Sequence, residues 1–225
     1  MTQRLQKEIE NLKKKLLTLC SVVEKAVMLA TKAVEEDDSK LAEQVIKDDV
    51  NIDNSEVELE EDCLKILALY QPVAVDLRII VAILKINSDL ERIGDLAVNV
   101  AERVSHIGSG KPTPEKFGFP AMMEHVTQML RNGIDAMVKM DEELAYSVCA
   151  ADDKVDEMNR RSYELAESMI GDKDISVKTL IDLLSVSRHL ERIADHATNI
   201  AEDVVYMIEG EVIRHHVGDH SVEEE

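Results

Sequence analysis

The chain has 225 residues, 45% of them apolar, and a formal net charge of −20. That apolar share can bury a sizeable core, while the acidic excess excludes the phosphate-backbone binding that needs clustered Lys and Arg, so no nucleic-acid partner is expected. Aromatics make up only 3% and Trp is absent, which leaves Leu, Ile, Val, Ala and Met to fill the interior, a composition suited to packed helices.

Residues 1–10 are polar and charged and lack the apolar stretch of a secretory signal. From Leu5 the apolar positions run Leu5, Ile9, Leu12, Leu16, Leu19, Val23, Ala26, Ala30 and Ala33, the 4-3 spacing of a helix in a bundle. Asp37-Asp38-Ser39 interrupts it, with Asp38 or Ser39 able to cap the next helix. Leu41, Val45, Ile52, Leu59, Cys63, Ile66 and Tyr70 mark that second helix. Gln71-Pro72 ends it and places Pro72 in the first turn of a third, whose stripe is Ile86, Leu90, Ile93, Ala97, Val100 and Val104.

Residues 108–120, rich in Gly, Ser and Pro, read as a linker. Beyond it Met122, Val126, Met129, Gly133, Met137 and Met140 mark a fourth helix. A fifth carries Leu144, Val148, Ala151, Val155, Ser162, Leu165 and Met169. A turn at Gly171 to Asp174 and a capping Ser176 lead into the sixth, with Leu183, Leu190, Ile193, Ala197, Ile200, Val204 and Met207, closed by Gly210. No apolar run approaches the ~18 residues of a membrane span, so a cytoplasmic protein without membrane insertion is expected. Cys20, Cys63 and Cys149 form no C-x-x-C pair and read as reduced core thiols. The fold class predicted is all-α, six long helices forming two repeated three-helix bundles: residues 1–107, a linker over 108–120, residues 121–210, and an acidic, His-containing tail over 211–225.

The repeat carries the chemistry. Leu90-Glu91-Arg92-Ile93-Gly94-Asp95 returns as Leu190-Glu191-Arg192-Ile193-Ala194-Asp195, and over residues 90–102 nine of thirteen positions match at an offset of 100. A second pair of words, Asp49 to Asp53 and Asp152 to Asp156, matches at an offset of 103. Each word places carboxylates at i and i+4, neighbours on one helix face. In a hairpin folded at Pro72, Asp49 and Asp53 come level with Glu91 and Asp95; a fold inside 171–174 does the same for Asp152 and Asp156 with Glu191 and Asp195. These acids fall one or two steps past the apolar stripe, which predicts an outer flank. Four converging carboxylates repel unless a cation joins them, and an all-oxygen set suits magnesium, manganese or iron. The alternative is a solvated helix face with Arg92 and Arg192 as ion-pair partners. A ferritin-type catalytic centre would need Glu-x-x-His words facing the bundle interior, and none is present at the motif. His189 and His196 read as ordinary surface or packing residues, and His215, His216 and His220 as an unduplicated cluster in the tail.

With Gln71-Pro72-Val73-Ala74-Val75-Asp76-Leu77-Arg78, the two Leu-Glu-Arg-Ile-x-Asp words and the closing Tyr206-Met207-Ile208-Glu209-Gly210-Glu211, the sequence resembles the PhoU family over nearly its whole length. The resemblance implies surface multinuclear metal clusters of iron, manganese or magnesium. It makes Asp49, Asp53, Glu91, Asp95, Asp152, Asp156, Glu191 and Asp195 the ligands. It also implies a non-enzymatic homodimer that negatively regulates phosphate uptake by the phosphate-specific ABC transporter and signalling through the phosphate-regulon sensor histidine kinase. The competing readings are a metal-dependent oxidase or phosphohydrolase and a purely structural scaffold.

Overall fold

A computed structural model describes residues 3–107, 114–172 and 175–210. Helices α1 (Gln3–Glu36), α2 (Ser39–Tyr70) and α3 (Ala74–Ile107) run up, down and up. After one 3-10 turn at Pro114–Phe117, helices α4 (Phe119–Lys139), α5 (Glu142–Met169) and α6 (Val177–Glu209) repeat the course. The expected 211–225 tail, its histidines, and residues 108–113 of the expected linker lie outside the described residues.

The stripe of α1 is buried as its spacing predicts except at Ala26, which is only half-buried; beyond it Val27, Thr31 and Val34 join Ala30 and Ala33 in the core. A 3.6-residue helix drifts by about 20° per heptad against a 3.5-residue pattern. The first turn of each unit is duplicated as well. Asp37 and Met140 both take positive φ, 51° and 53°, and the residues that follow, Asp38 and Asp141, are the N-caps of α2 and α5. Asp38 accepts from the N–H groups of Lys40 and Leu41, and Asp141 from that of Leu144, satisfying donors that a helix start leaves without intrahelical partners.

Two boundaries differ from the sequence reading. Pro72 is buried in the connecting turn, and α3 begins two residues later at Ala74, because Gln71 in the left-handed region already closes α2 by donating its N–H to Leu67 O. Phe119 and Pro120, expected in the linker, open α4, and the rings of Phe117 and Phe119 pack with centroids 5.7 Å apart, both buried. Burial of two aromatics outweighs the loop-forming composition around them.

α3 and α6 form the most extensive helix pair. α1 and α2 cover α3, α4 and α5 cover α6, α1 touches α4, and one continuous apolar core runs through both units. The α3–α6 pair is antiparallel: Lys85 meets Asp203 at 2.7 Å, Asp89 Oδ1 meets His196 Nδ1 at 2.7 Å and Asn199 Nδ2 at 3.2 Å, and Arg103 meets Asp182 at 3.4 Å. Asp182 and Asp203 are buried, and an acid so placed needs its cation beside it. At one end Arg78 donates to Ile208 O at 3.3 Å, its guanidinium filling the space where a Cβ on Gly210 would stand. A cation at a helix C-terminus is favourably placed, and Gly210, at φ 87°, is the cap that admits it. The three cysteines are free and buried, and burial pushes their thiols up to about 12.

Gly94 marks a close approach of α2 to α3. A Cβ there would stand 3.0 and 3.2 Å from two carbons of Ile52 and 3.5 Å from Asp49 Oδ1. The repeat carries Ala194 at this position, and Val155, one carbon shorter, where the first unit has Ile52. Gly94→Ala is expected to cost about 1 kcal/mol net, overpacking offset by the helix-propensity gain. Adding Ile52→Val should remove that cost. Urea unfolding of the two single variants and the double variant checks this coupling; strictly additive effects would contradict it.

Candidate metal centre

The apolar rhythm of α2 has gaps. Its buried positions are Ala42, Val45, Ile52, Leu59, Cys63 and Ile66, and the seam positions between Val45 and Ile52 and between Ile52 and Leu59 are taken by Asp49 and Glu56. In α5 the buried positions Val148, Val155 and Ser162 leave the equivalent places to Asp152 and Asn159. Asp49 and Asp152 are therefore half-buried in the seam of their hairpins, and Glu191 is 8% exposed. This corrects the outer-flank expectation for these three, whose stripe was read too narrowly. Glu91 and Asp95 are half-buried, and Asp53, Asp156 and Asp195 are exposed. Each centre thus has a buried floor and an open side.

The second hairpin brings its acids together. Asp156, Glu191 and Asp195 each offer an oxygen within 4.8 Å of the others. Asp152 stands beside them: burial first, then the charges of Asp195 and Asp156, push its carboxyl up to about 6, with the Thr198 hydroxyl pulling the other way. Burial and the neighbouring Asp195 push Glu191 up to about 7, although Arg188 forms an ion pair with Glu191 Oε1. Asp195, open to solvent on one side, is raised by the partial desolvation of its other side and by Asp156.

In the first hairpin Asp49 is raised by burial and by the charges of Asp53 and Asp95, and Glu91 by burial and by Asp95, with Glu56 and Asp53 adding to it. These acids feel one another's charge here too, but among the described residues only Asp156, Glu191 and Asp195 bring their oxygens within 4.8 Å of one another, so the first hairpin's four are less closely gathered. Arg92 draws two of them toward itself, with Nε 3.4 Å from Glu91 and Nη1 3.2 Å from Asp95. The expected ion-pair partner Arg92 is thus in place. Its counterpart is not Arg192 but Arg188, one turn earlier on α6.

Sequence reasoning missed Glu56. Burial and the charges of Glu60 and Asp53 raise its carboxyl, and Asn87 Nδ2 holds it through Oε1 at 3.2 Å and its backbone carbonyl at 3.0 Å. The repeat replaces this pair by Asn159 and Ser187, joined at 2.8 Å. The signal was available: Glu56 lies seven residues after Asp49, on the same seam. His196 packs between the units against Asp89, and half-buried His189 is lowered by burial and by Arg103, so both are packing residues.

The residues present suit a hard cation. Glu191 Oε2 is buried with no hydrogen-bond partner, a costly state for a carboxylate oxygen. The surrounding donors are all carboxylate oxygens, the set that magnesium, manganese and iron accept.

Two stacked three-helix units, each with a carboxylate cluster at the mid-level of its second hairpin, define a duplicated acidic helical bundle. The PhoU domain profile matches it twice, over residues 16–104 and 119–204, and the chain belongs to the PhoU family. It is 39% identical to the phosphate-specific transport system accessory protein PhoU homolog of Aquifex aeolicus, over 94% of this chain and 96% of that one. To the accessory protein PhoU of Escherichia coli it is 31% identical, over 94% and 88%. The crystal structure of PhoU from Pseudomonas aeruginosa superposes with a TM-score of 0.88 at 35% identity, over 92% of this chain and 99% of that one. The phosphate transport system regulatory protein PhoU of Streptococcus pneumoniae gives 0.85 at 28% identity, over 92% and 98%.

The raised carboxyls make the folded metal-free protein bind protons more tightly than the unfolded chain. Stability should therefore rise as pH falls through about 7 and about 6, the folded values of Glu191 and Asp152, toward the ordinary carboxylate range, and fall as pH rises through the same window. The melting temperature of chelator-treated protein, followed from pH 8 to 5, is expected to climb. In Glu191→Gln the climb should be shallower; an unchanged slope would show that Glu191 is not the titrating group.

Proposed function

We propose that this chain is a non-enzymatic, cytoplasmic regulator of phosphate homeostasis that restrains the phosphate-specific ABC transporter and the phosphate-regulon sensor histidine kinase when phosphate is plentiful, acting as a homodimer. The observation that carries the reading is the near full-length likeness to proteins named as accessory or regulatory to phosphate transport. No described helix is long and apolar enough to cross a membrane, which is compatible with this reading.

In this reading Asp152, Asp156, Glu191 and Asp195 hold metal in one unit, and Asp49, Asp53, Glu91 and Asp95, joined by Glu56, hold it in the other. A bound cation would supply the positive charge that lets these acids stay ionised while packed at a helix seam. Arg92 and Arg188 would then turn from partial substitutes for that charge into outer ion-pair partners, holding Glu91 and Glu191 in place. The role assigned to the metal is to lock each hairpin, which supports a regulatory surface without requiring turnover.

Two measurements test these assignments. Deleting the gene is expected to leave alkaline phosphatase high in phosphate-replete medium; continued repression would end the regulatory reading. Purified protein is expected to carry iron, manganese or magnesium by elemental analysis, and the variant with Glu91, Asp95, Glu191 and Asp195 all changed to Ala should lose most of it. Unchanged metal stoichiometry would refute the ligand set. Phosphoester hydrolysis abolished in the same variant would make the protein an enzyme.

A further inference from the structure

The α1–α2 pair leaves a cleft of about 480 Å³ where α2 runs into the Gln71–Val73 turn. Buried Leu12 and Ile66 form its floor, and Leu69 stands at its rim, 76% exposed, with Val73 beyond it at 74%. Four cations line it: Arg4, Lys14, Lys15 and Lys65. Lys15 is held by Glu58 at 2.5 Å and Asp62 at 2.7 Å, and Lys65 by Asp62 at 3.3 Å. Arg4 and Lys14 have no ion-pair or hydrogen-bond partner for their charged groups among the described residues.

This concentration of positive charge runs against the rest of the chain. Residues 3–15 hold five cations and two acids in a molecule of net charge −20. The fold does not require it, because α4, the counterpart of α1, balances Arg131 and Lys139 with Glu124 and Asp135. The opposite hairpin tip exposes comparable apolar side chains, Ile170 at 66% and Ile181 at 58%, and among the described residues it sets one cation, Lys178, beside them. The first tip instead gathers four cations around a cleft with an apolar floor.

We propose that the α1–α2 cleft is a docking groove for an acidic amphipathic segment of a partner protein, with carboxylates meeting Arg4 and Lys14 and an apolar side chain packing on Leu69 over Leu12 and Ile66. A groove between antiparallel helices suits a helical or extended segment, opposite charges steer its approach, and a few buried anchors carry most of the affinity. The charge pattern selects protein over lipid: Glu8 and Asp62 lie among the cations, and a uniformly anionic bilayer would repel both, whereas a peptide can alternate its charges. A small phosphate compound finds no convergent set, because Lys15 and Lys65 are already neutralised. The proposal rests on the regulatory reading above, which requires contact with a transporter or kinase subunit.

The test places the photo-crosslinking residue p-benzoylphenylalanine at position 69 and, as control, at position 181 in phosphate-replete cells, and maps each adduct by mass spectrometry. An adduct from position 69 to an acidic, apolar-containing segment of the transporter or kinase supports the groove. An adduct to phospholipid, an adduct to a second copy of this chain, or the absence of any adduct overturns it. In parallel, Arg4→Glu with Lys14→Glu, and Leu69→Asp, are expected to raise alkaline phosphatase about tenfold or more toward the deletion level, with melting temperature, protein level and metal content unchanged. Lys14→Arg and Leu69→Met should stay repressed. If deletion derepresses but the charge-reversed and Leu69→Asp proteins regulate normally while folded, the groove assignment alone fails. If deletion itself does not derepress, the regulatory reading fails, and the adduct identity still decides what the groove holds.

Discussion

The antiparallel contact of α3 with α6 is the constraint on which the rest of the molecule depends. Each of these helices is covered by its own two partners, and their mutual packing, helped by a smaller contact of α1 with α4, makes one core of two three-helix units. The contact is apolar along its length but is pinned by charge: Lys85 on buried Asp203, Arg103 on buried Asp182, and His196 with Asn199 on Asp89. Such pairs add little net stability, yet breaking one leaves a buried charge uncompensated, so they disfavour any slipped register. In the register they select, the words around Glu91 and Glu191 lie at the same level of the antiparallel pair, and Arg78 reaches the end of α6.

Within each hairpin the same compromise between packing and charge recurs. Acids occupy seam positions where an ordinary bundle would place Leu or Ile, and burial together with mutual repulsion raises their carboxyls. The protein offsets part of this with one arginine per centre, but takes it from different places, Arg92 in the first and Arg188 in the second. Packing follows the same logic: Gly94 opposes Ile52, whereas the repeat joins Ala194 with Val155. Duplication kept the backbone and the acids, and the two copies then adjusted their neighbours separately.

Much of this was legible in the sequence because helices report themselves through periodicity. The six elements, a cap at Asp38 or Ser39, the Gly210 cap, and the levelling of paired acids about two turns follow from the sequence, since a hairpin of rigid helices has one free parameter, the position of its turn. The boundaries at Pro72 and Phe119 were less legible, because a buried proline and a buried aromatic depend on what surrounds them. Glu56 escaped because it belongs to no duplicated word: its counterpart is Asn159. Arg188 escaped because Ser88 stands at its place in the first unit.

By itself, then, the sequence determined the helices, their order, the internal repeat, and which acids stand level within each hairpin, all of them consequences of local geometry. The tertiary structure alone decided how deep those acids lie. Rotation about a helix axis is set by side chains on other helices, and a step of about 100° per residue separates seam from flank. The same holds for the pairing of α3 with α6, for the arginine that serves each centre, and for the meeting of Arg78 with the end of α6. Each joins residues far apart in the chain, and no spacing along it encodes them.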